Sequence, residues 1–117
     1  MNKRLEYINI QQIDDISDGD LEFKKELIDI FLEQIPEFIS NMNTFFDEKN
    51  WDMLAREAHT AKSSALTFGM DKAGELLKDI QIHAEANEIE LLPELLSKVL
   101  SLLGAAIPEL EGLKQSI

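Results

Sequence analysis

Apolar residues in this chain return every three or four positions rather than every second one. Phe23, Leu27, Phe31, Phe38, Met42 and Phe45 make one such stripe, and Trp51, Leu54, Ala58, Ala61, Ala65 and Phe68 make another. That period places side chains on one face of a helix and would scatter them over both faces of a strand. Residue usage rich in Leu, Glu, Lys and Ala points the same way. With 117 residues, 44% of them hydrophobic, the chain has the core of one domain, so residues 1–117 are read as a single all-α unit.

Punctuation divides the chain into segments. A short helix is expected within "IQQIDDIS", followed by the turn "SDGD" and a long helix over residues 21–48. Pro36 falls inside that helix, where its missing N–H and its ring are expected to kink it. Asn50 is placed to cap a helix over residues 51–68, and Gly69 to close it in the left-handed conformation. Asp71 is expected to cap a fourth helix ending near Asn87. A fifth runs over about residues 92–113, with Pro93 in its first turn and bends expected at Gly104 and Pro108. Short links between amphipathic helices make antiparallel neighbours, hence an up-and-down antiparallel four-helix bundle with a short extra N-terminal helix.

Charge narrows the function. Eleven basic against 23 acidic residues leave a formal charge of −12, which repels phosphate backbones and anionic lipid alike, so nucleic acid and membrane are not expected as partners. No cysteine is present, which removes thiolate chemistry. The opening "MNKRLEYINIQQ" lacks the apolar run of a secretory signal and no segment is apolar enough to span a bilayer, so a soluble, cytoplasmic protein is expected. A monomer is expected as well.

Chemistry concentrates in "EAHTAKSSALTFG". On a helical wheel the apolar residues of this helix gather on one face, and His59 lies off it, on a flank with Ala55 and Ser63 one turn before and after. Those neighbours are small, so a partner can approach the imidazole closely. Arg56 and Lys62 add two cations, and an imidazole offers a nitrogen nucleophile at neutral pH. A nucleophilic histidine beside a phosphate-neutralising lysine suggests phosphoryl chemistry. A plain solvated surface histidine is the alternative reading of the position alone.

"AHTAKSSALTFGM" resembles the signature of histidine-containing phosphotransfer (HPt) domains. His59 is followed by Lys62 at the third place, a small Ser64 at the fifth and Gly69 at the tenth. The preceding "LEFKKELIDIFLEQIPEFI" looks like the long second helix of that family. Two departures stand out: Ser63 occupies the usual glycine place and Ala61 that of a larger aliphatic residue. The resemblance implies that His59 carries a phosphoryl group between the aspartates of receiver domains, in response regulators and hybrid histidine kinases, with no kinase activity of its own. It implies that Lys62 neutralises the phosphoryl oxygens. Ala55, Arg56, Ser63 and Leu66 would face the partner, and Ser64 and Gly69 would complete the structural motif. The chain would need no cofactor, since Mg²⁺ belongs to the receiver. Ile28, Leu32 and Ile39 would either extend the docking surface or widen the core.

Other readings compete less well. A histidine kinase phosphoacceptor helix has an acidic residue after its histidine and proline five places on, where this chain has Thr60 and Ser64. "DDISDGD" lacks a calcium loop's ligands, with Ile16 at the third place from Asp14, and reads as a capped turn. His83 reads as a partly buried structural residue, and the two histidines share no zinc spacing, so no metal site is expected. A helical adaptor that binds signalling partners without carrying phosphate remains the alternative from a different class.

Overall fold

The computed structural model describes residues 5–117, which form α1 (Gln11–Ser17), α2 (Leu21–Asp47), α3 (Trp51–Thr67), α4 (Asp71–Glu85) and α5 (Leu92–Gln115). The helix ends have local chemical causes. The Asp20 carboxylate accepts the amide of Phe23 at 3.0 Å and starts α2, and the Asn50 side chain accepts that of Met53 at 3.3 Å and starts α3. At the far end of α3, Gly69 takes a φ of +71°. Its N–H donates to the Leu66 carbonyl at 3.0 Å, while Met70 N–H donates to that of Ala65 at 2.9 Å. Two carbonyls that the helix would otherwise orphan are thereby satisfied, and the buried Met70 side chain seals the turn.

The α4 start departs from expectation. Met70, not Asp71, occupies the cap position, with no side-chain hydrogen bond. Asp71 is the first helical residue, where its charge meets the positive end of the helix dipole. Pro36 and Pro108 both lie inside helices that continue through them, and both rings are exposed. Each ring removes the N–H that would have bonded the carbonyl four residues earlier, that of Leu32 or Gly104, and both of those residues are half-buried.

Helices α2 to α5 pack in sequence and α5 closes back on α2, giving an antiparallel four-helix bundle of 45 × 23 × 19 Å with α1 lying against α2. Side-chain bonds record the register. Asn41 on α2 donates to Glu57 on α3 at 2.8 Å, and Ser64 further along α3 donates to the earlier Gln34 on α2 at 2.9 Å. At the closing seam, Lys114 of α5 pairs with Asp29 of α2 at 2.6 Å.

The buried stripe of α2 is rotated from the one expected. Ile28, Phe31, Ile35, Phe38 and Met42 are buried, whereas Phe23 is exposed and Leu27 and Phe45 are half-buried. Because α3 and α5 both lean on α2, its core face is centred between them and passes through the isoleucines. Ile28 is therefore core, and Leu32 and Ile39 are partly buried against that core.

On α3 the expected face holds: Leu54, Ala58, Ala61 and Ala65 are fully buried, and Phe68 stacks on Phe31 with ring centroids 4.5 Å apart. The run of alanines lets α4 come close, and α4 answers with Ala73, Gly74 and Ala84 on its own buried face. A Cβ at Gly74 would lie 2.5 Å from Leu66 Cδ2, so the glycine seats that leucine.

The "DDISDGD" aspartates serve the helices around them. Asp20 caps α2, and Asp14 pairs with Lys24 at 2.7 Å. The segment before α1 is strapped down at both ends. The Glu109 carboxylate accepts the backbone amides of Glu6 at 2.9 Å, Tyr7 at 3.1 Å and Ile8 at 3.2 Å, and Asn9 N–H donates to the Phe68 carbonyl at 2.9 Å. Asn9 also lies where a side chain at Gly69 would have to go, its Cβ 2.5 Å from that position. Among the described residues, no helix is long and apolar enough to cross a membrane.

Candidate functional site

His59 sits midway along α3, exposed, on the flank nearest α4. Its Nδ1 lies 3.2 Å from Oε1 of Gln81 on α4. With the carboxamide oxygen turned to the ring, the contact suits the tautomer that carries its proton on Nδ1 and its lone pair on Nε2. One ring nitrogen is thus engaged by Gln81, and the other makes no hydrogen bond among the described residues. The α3–α4 register brings Gln81 there, since the two helices run antiparallel with Leu66 over Gly74 further down the same seam.

Beside His59, between α3 and α4, lies an open depression lined by Asp52, Ala55, Arg56, His59, Thr60, Gln81 and Glu85. The Thr60 hydroxyl donates to the Arg56 carbonyl at 3.1 Å. Ala55, expected on an outward docking surface, is only 4% exposed, because the small-residue seam draws α4 over it. It forms part of the floor of the depression. Arg56 is exposed on its wall.

The remaining motif residues separate by role. Lys62 is half-buried one turn beyond His59, and Ser63 is exposed on the same flank. Leu66 is 42% exposed, the large apolar side chain of that flank. Ser64 turns away, its hydroxyl bonded to Gln34, and so ties α3 to α2, while Gly69 closes the helix. His83 stands apart from this site near the end of α4. It is half-buried, with Nδ1 enclosed and 3.6 Å from Glu88 Oε1, in keeping with a structural residue.

Gln81 belongs to no motif in the sequence. It lies on another helix, and only the register of α3 against α4 singles it out from other polar residues of that face.

A family model, Hpt domain, matches residues 26–114. The chain belongs to the Hpt domain family. The match takes in α3, α4 and most of α2 and α5, so the histidine and its glutamine both fall inside it. Among characterised proteins, the chain is 30% identical over 59 residues to the phosphorelay intermediate protein YPD1 of Candida albicans, covering 50% of this chain and 32% of that protein. The Hpt chain thus spans about a third of that relative's length. Among solved structures, histidine-containing phosphotransfer protein B (HptB) of Pseudomonas aeruginosa PAO1 superimposes with a TM-score of 0.88 at 13% identity, covering 97% of this chain and 99% of its own. At that identity the likeness is one of fold, and it embraces all five helices.

Proposed function

We propose that this Hpt domain is a phosphorelay carrier, taking a phosphoryl group on His59 from the aspartyl phosphate of one receiver domain and passing it to the aspartate of another. The observation that carries the reading is the pairing of His59 Nδ1 with Gln81 Oε1 beside an open, small-residue flank. It supports a nucleophile whose tautomer is set before any partner arrives. In the transfer, the Nε2 lone pair attacks phosphorus, the N–P bond forms, and the acyl phosphate O–P bond breaks with its electrons returning to the receiver carboxylate. The ring keeps its Nδ1 proton and gains positive charge, which the Gln81 oxygen stabilises as acceptor. The reverse step leaves the same neutral imidazole.

Lys62, one turn beyond His59, would supply positive charge to the phosphoryl oxygens during transfer, as they cross from the receiver to the ring. Ser63, small and exposed, would let the receiver close over the ring, with Leu66 as its apolar contact. Mg²⁺ would come with the receiver, whose site holds most of the transition-state machinery. The chain accordingly starts from a ready-made phosphoryl group rather than from ATP, and works in the compartment of its receivers, the cytoplasm.

The test is incubation with phosphorylated receivers, each in turn. An acid-labile, alkali-stable phosphate on the chain, absent from His59→Gln with unchanged helical circular dichroism, is the expected result. No phosphate from any receiver would overturn the reading in favour of an adaptor that only binds signalling partners.

A further inference from the structure

We propose that Arg56, one turn before His59, is the residue that holds the phosphoryl group once it is on the ring, with Glu85 of α4 as the counter-charge that keeps the phosphorylated state from becoming too stable. This rests on the carrier reading and adds to it which side of the histidine the phosphoryl group occupies.

Three observations locate the group. Nδ1 is engaged by Gln81, so the phosphoryl group must grow from Nε2 on the other edge of the ring. Helical side chains tilt toward the helix N-terminus, which carries the His59 ring over the turn of Ala55 and Arg56. The open depression lies on that same side: its α3 lining runs from Asp52 to Thr60, its α4 lining consists of Gln81 and Glu85, and neither Lys62 nor Ser63 contributes to it.

Within this depression the charges are unequal. Asp52 and Glu85 are carboxylates, and Arg56 brings the one positive charge among the lining residues. Among the described residues it makes no ion pair within 4.0 Å, so its guanidinium is uncommitted while His59 is unmodified. Thr60 cannot take its place as donor, because its hydroxyl proton is already given to the Arg56 carbonyl. A phosphoryl dianion on Nε2 would therefore meet one fork of N–H donors and two like charges. The arginine favours the phosphorylated state and the carboxylates oppose it. A carrier needs that balance, since a group held too firmly is not passed on.

An equilibrium measurement separates this role from receiver docking. A contact made only in the docked complex changes the forward and reverse rates alike and leaves the distribution between dissociated partners where it was. The parent chain and the variants Arg56→Gln, Glu85→Gln and Arg56→Gln/Glu85→Gln are each equilibrated with one receiver and a limiting amount of its aspartyl phosphate. The ratio of phosphohistidine to aspartyl phosphate is then read by acid and alkali lability. Arg56→Gln is expected to lower that ratio by about threefold to tenfold and Glu85→Gln to raise it by a similar factor, as unit charges a few ångströms from a partly solvated dianion would. The double variant is expected to return toward the parent. Altered rates with unmoved ratios would overturn the inference while leaving the carrier reading intact. A parent chain that takes up no phosphate from any receiver would overturn both.

Discussion

His59 and Gln81 face each other across the seam between α3 and α4, with the imidazole Nδ1 3.2 Å from the carboxamide oxygen. The contact suits a ring protonated on Nδ1 and is made without fully burying either residue, so one bond at the protein surface would set both the tautomer and the open nitrogen. Replacing the glutamine by leucine keeps the bulk and removes the acceptor. In Gln81→Leu the ring is expected to lose its Nδ1–H preference, visible in the imidazole nitrogen shifts by NMR. Phosphoryl uptake is expected to slow by about tenfold, less than the roughly hundredfold or more of a group that itself transfers a proton, because Gln81 only orients one. Thermal stability is expected to change little, because Gln81 is only half-buried. An unchanged tautomer in the variant would show that the glutamine does not govern the ring.

Ser63 tests why small residues flank the histidine. The Thr67 hydroxyl bonds to the Ser63 carbonyl at 2.9 Å, but among the described residues the Ser63 hydroxyl itself has no protein partner, and the side chain is exposed. On the proposed function, size rather than polarity is then the property that would matter for a receiver closing over the ring. Ser63→Ala is expected to transfer normally, and Ser63→Gly at least as fast at a cost of about 0.5 to 1 kcal/mol in helix stability. Ser63→Leu is expected to fold and to transfer slowly. Rates for the three variants decide the matter, and loss of transfer in a well-folded Ser63→Ala would show that the hydroxyl takes part.

Local signals wrote much of this fold into the sequence. Asn50, Gly69 and the alanines of α3 each act within a turn or two of chain, and each does in three dimensions what its spacing announced. What the sequence concealed depends on neighbours far along the chain. The sequence leaves Ile28 between docking surface and widened core, and it is fully buried because α5 closes on α2 and turns that helix's core face toward it. Ala55 looked like docking surface, and it lies under α4 because the small residues at the α3–α4 seam permit that approach. At the site, His59 and its flanking residues belong to one helix and can be read on a wheel. Gln81 enters only when two helices are set in register.

The same wheel makes a stability prediction. Ala58 and Ala65 are fully buried, and the space around each is filled by the closely approaching α4. Glutamate at either place would bury a charge with no partner and force the helices apart. Ala58→Glu and Ala65→Glu are each expected to cost about 3 to 5 kcal/mol, enough to unfold a marginal domain. Circular dichroism melting measures it, with His59→Gln as the contrasting variant that leaves the melt in place. A near-parental melt for either glutamate variant would mean that this face of α3 is not the core.

The Glu109 strap predicts an effect separable from the proposed phosphoryl site at His59. One carboxylate accepts three consecutive backbone amides, those of Glu6, Tyr7 and Ile8, and the chain then continues to Asn9, which is bonded to the last turn of α3. In Glu109→Ala the amides of Glu6 and Tyr7 can turn to water, while that of Ile8 leads into a buried side chain and gains nothing comparable. The net loss is expected to be about 1 kcal/mol, with hydrogen exchange at residues 6–8 accelerating while the amides of α3 keep their protection. Glu109→Gln retains one accepting oxygen and is expected to fall between the two. Because the strap ends at the C-cap of α3 and not at His59, the equilibrium between phosphohistidine and receiver phosphate is expected to be the same in all three proteins. Unchanged exchange at residues 6–8 in Glu109→Ala would show that Ile8 and Asn9 hold the segment without the carboxylate.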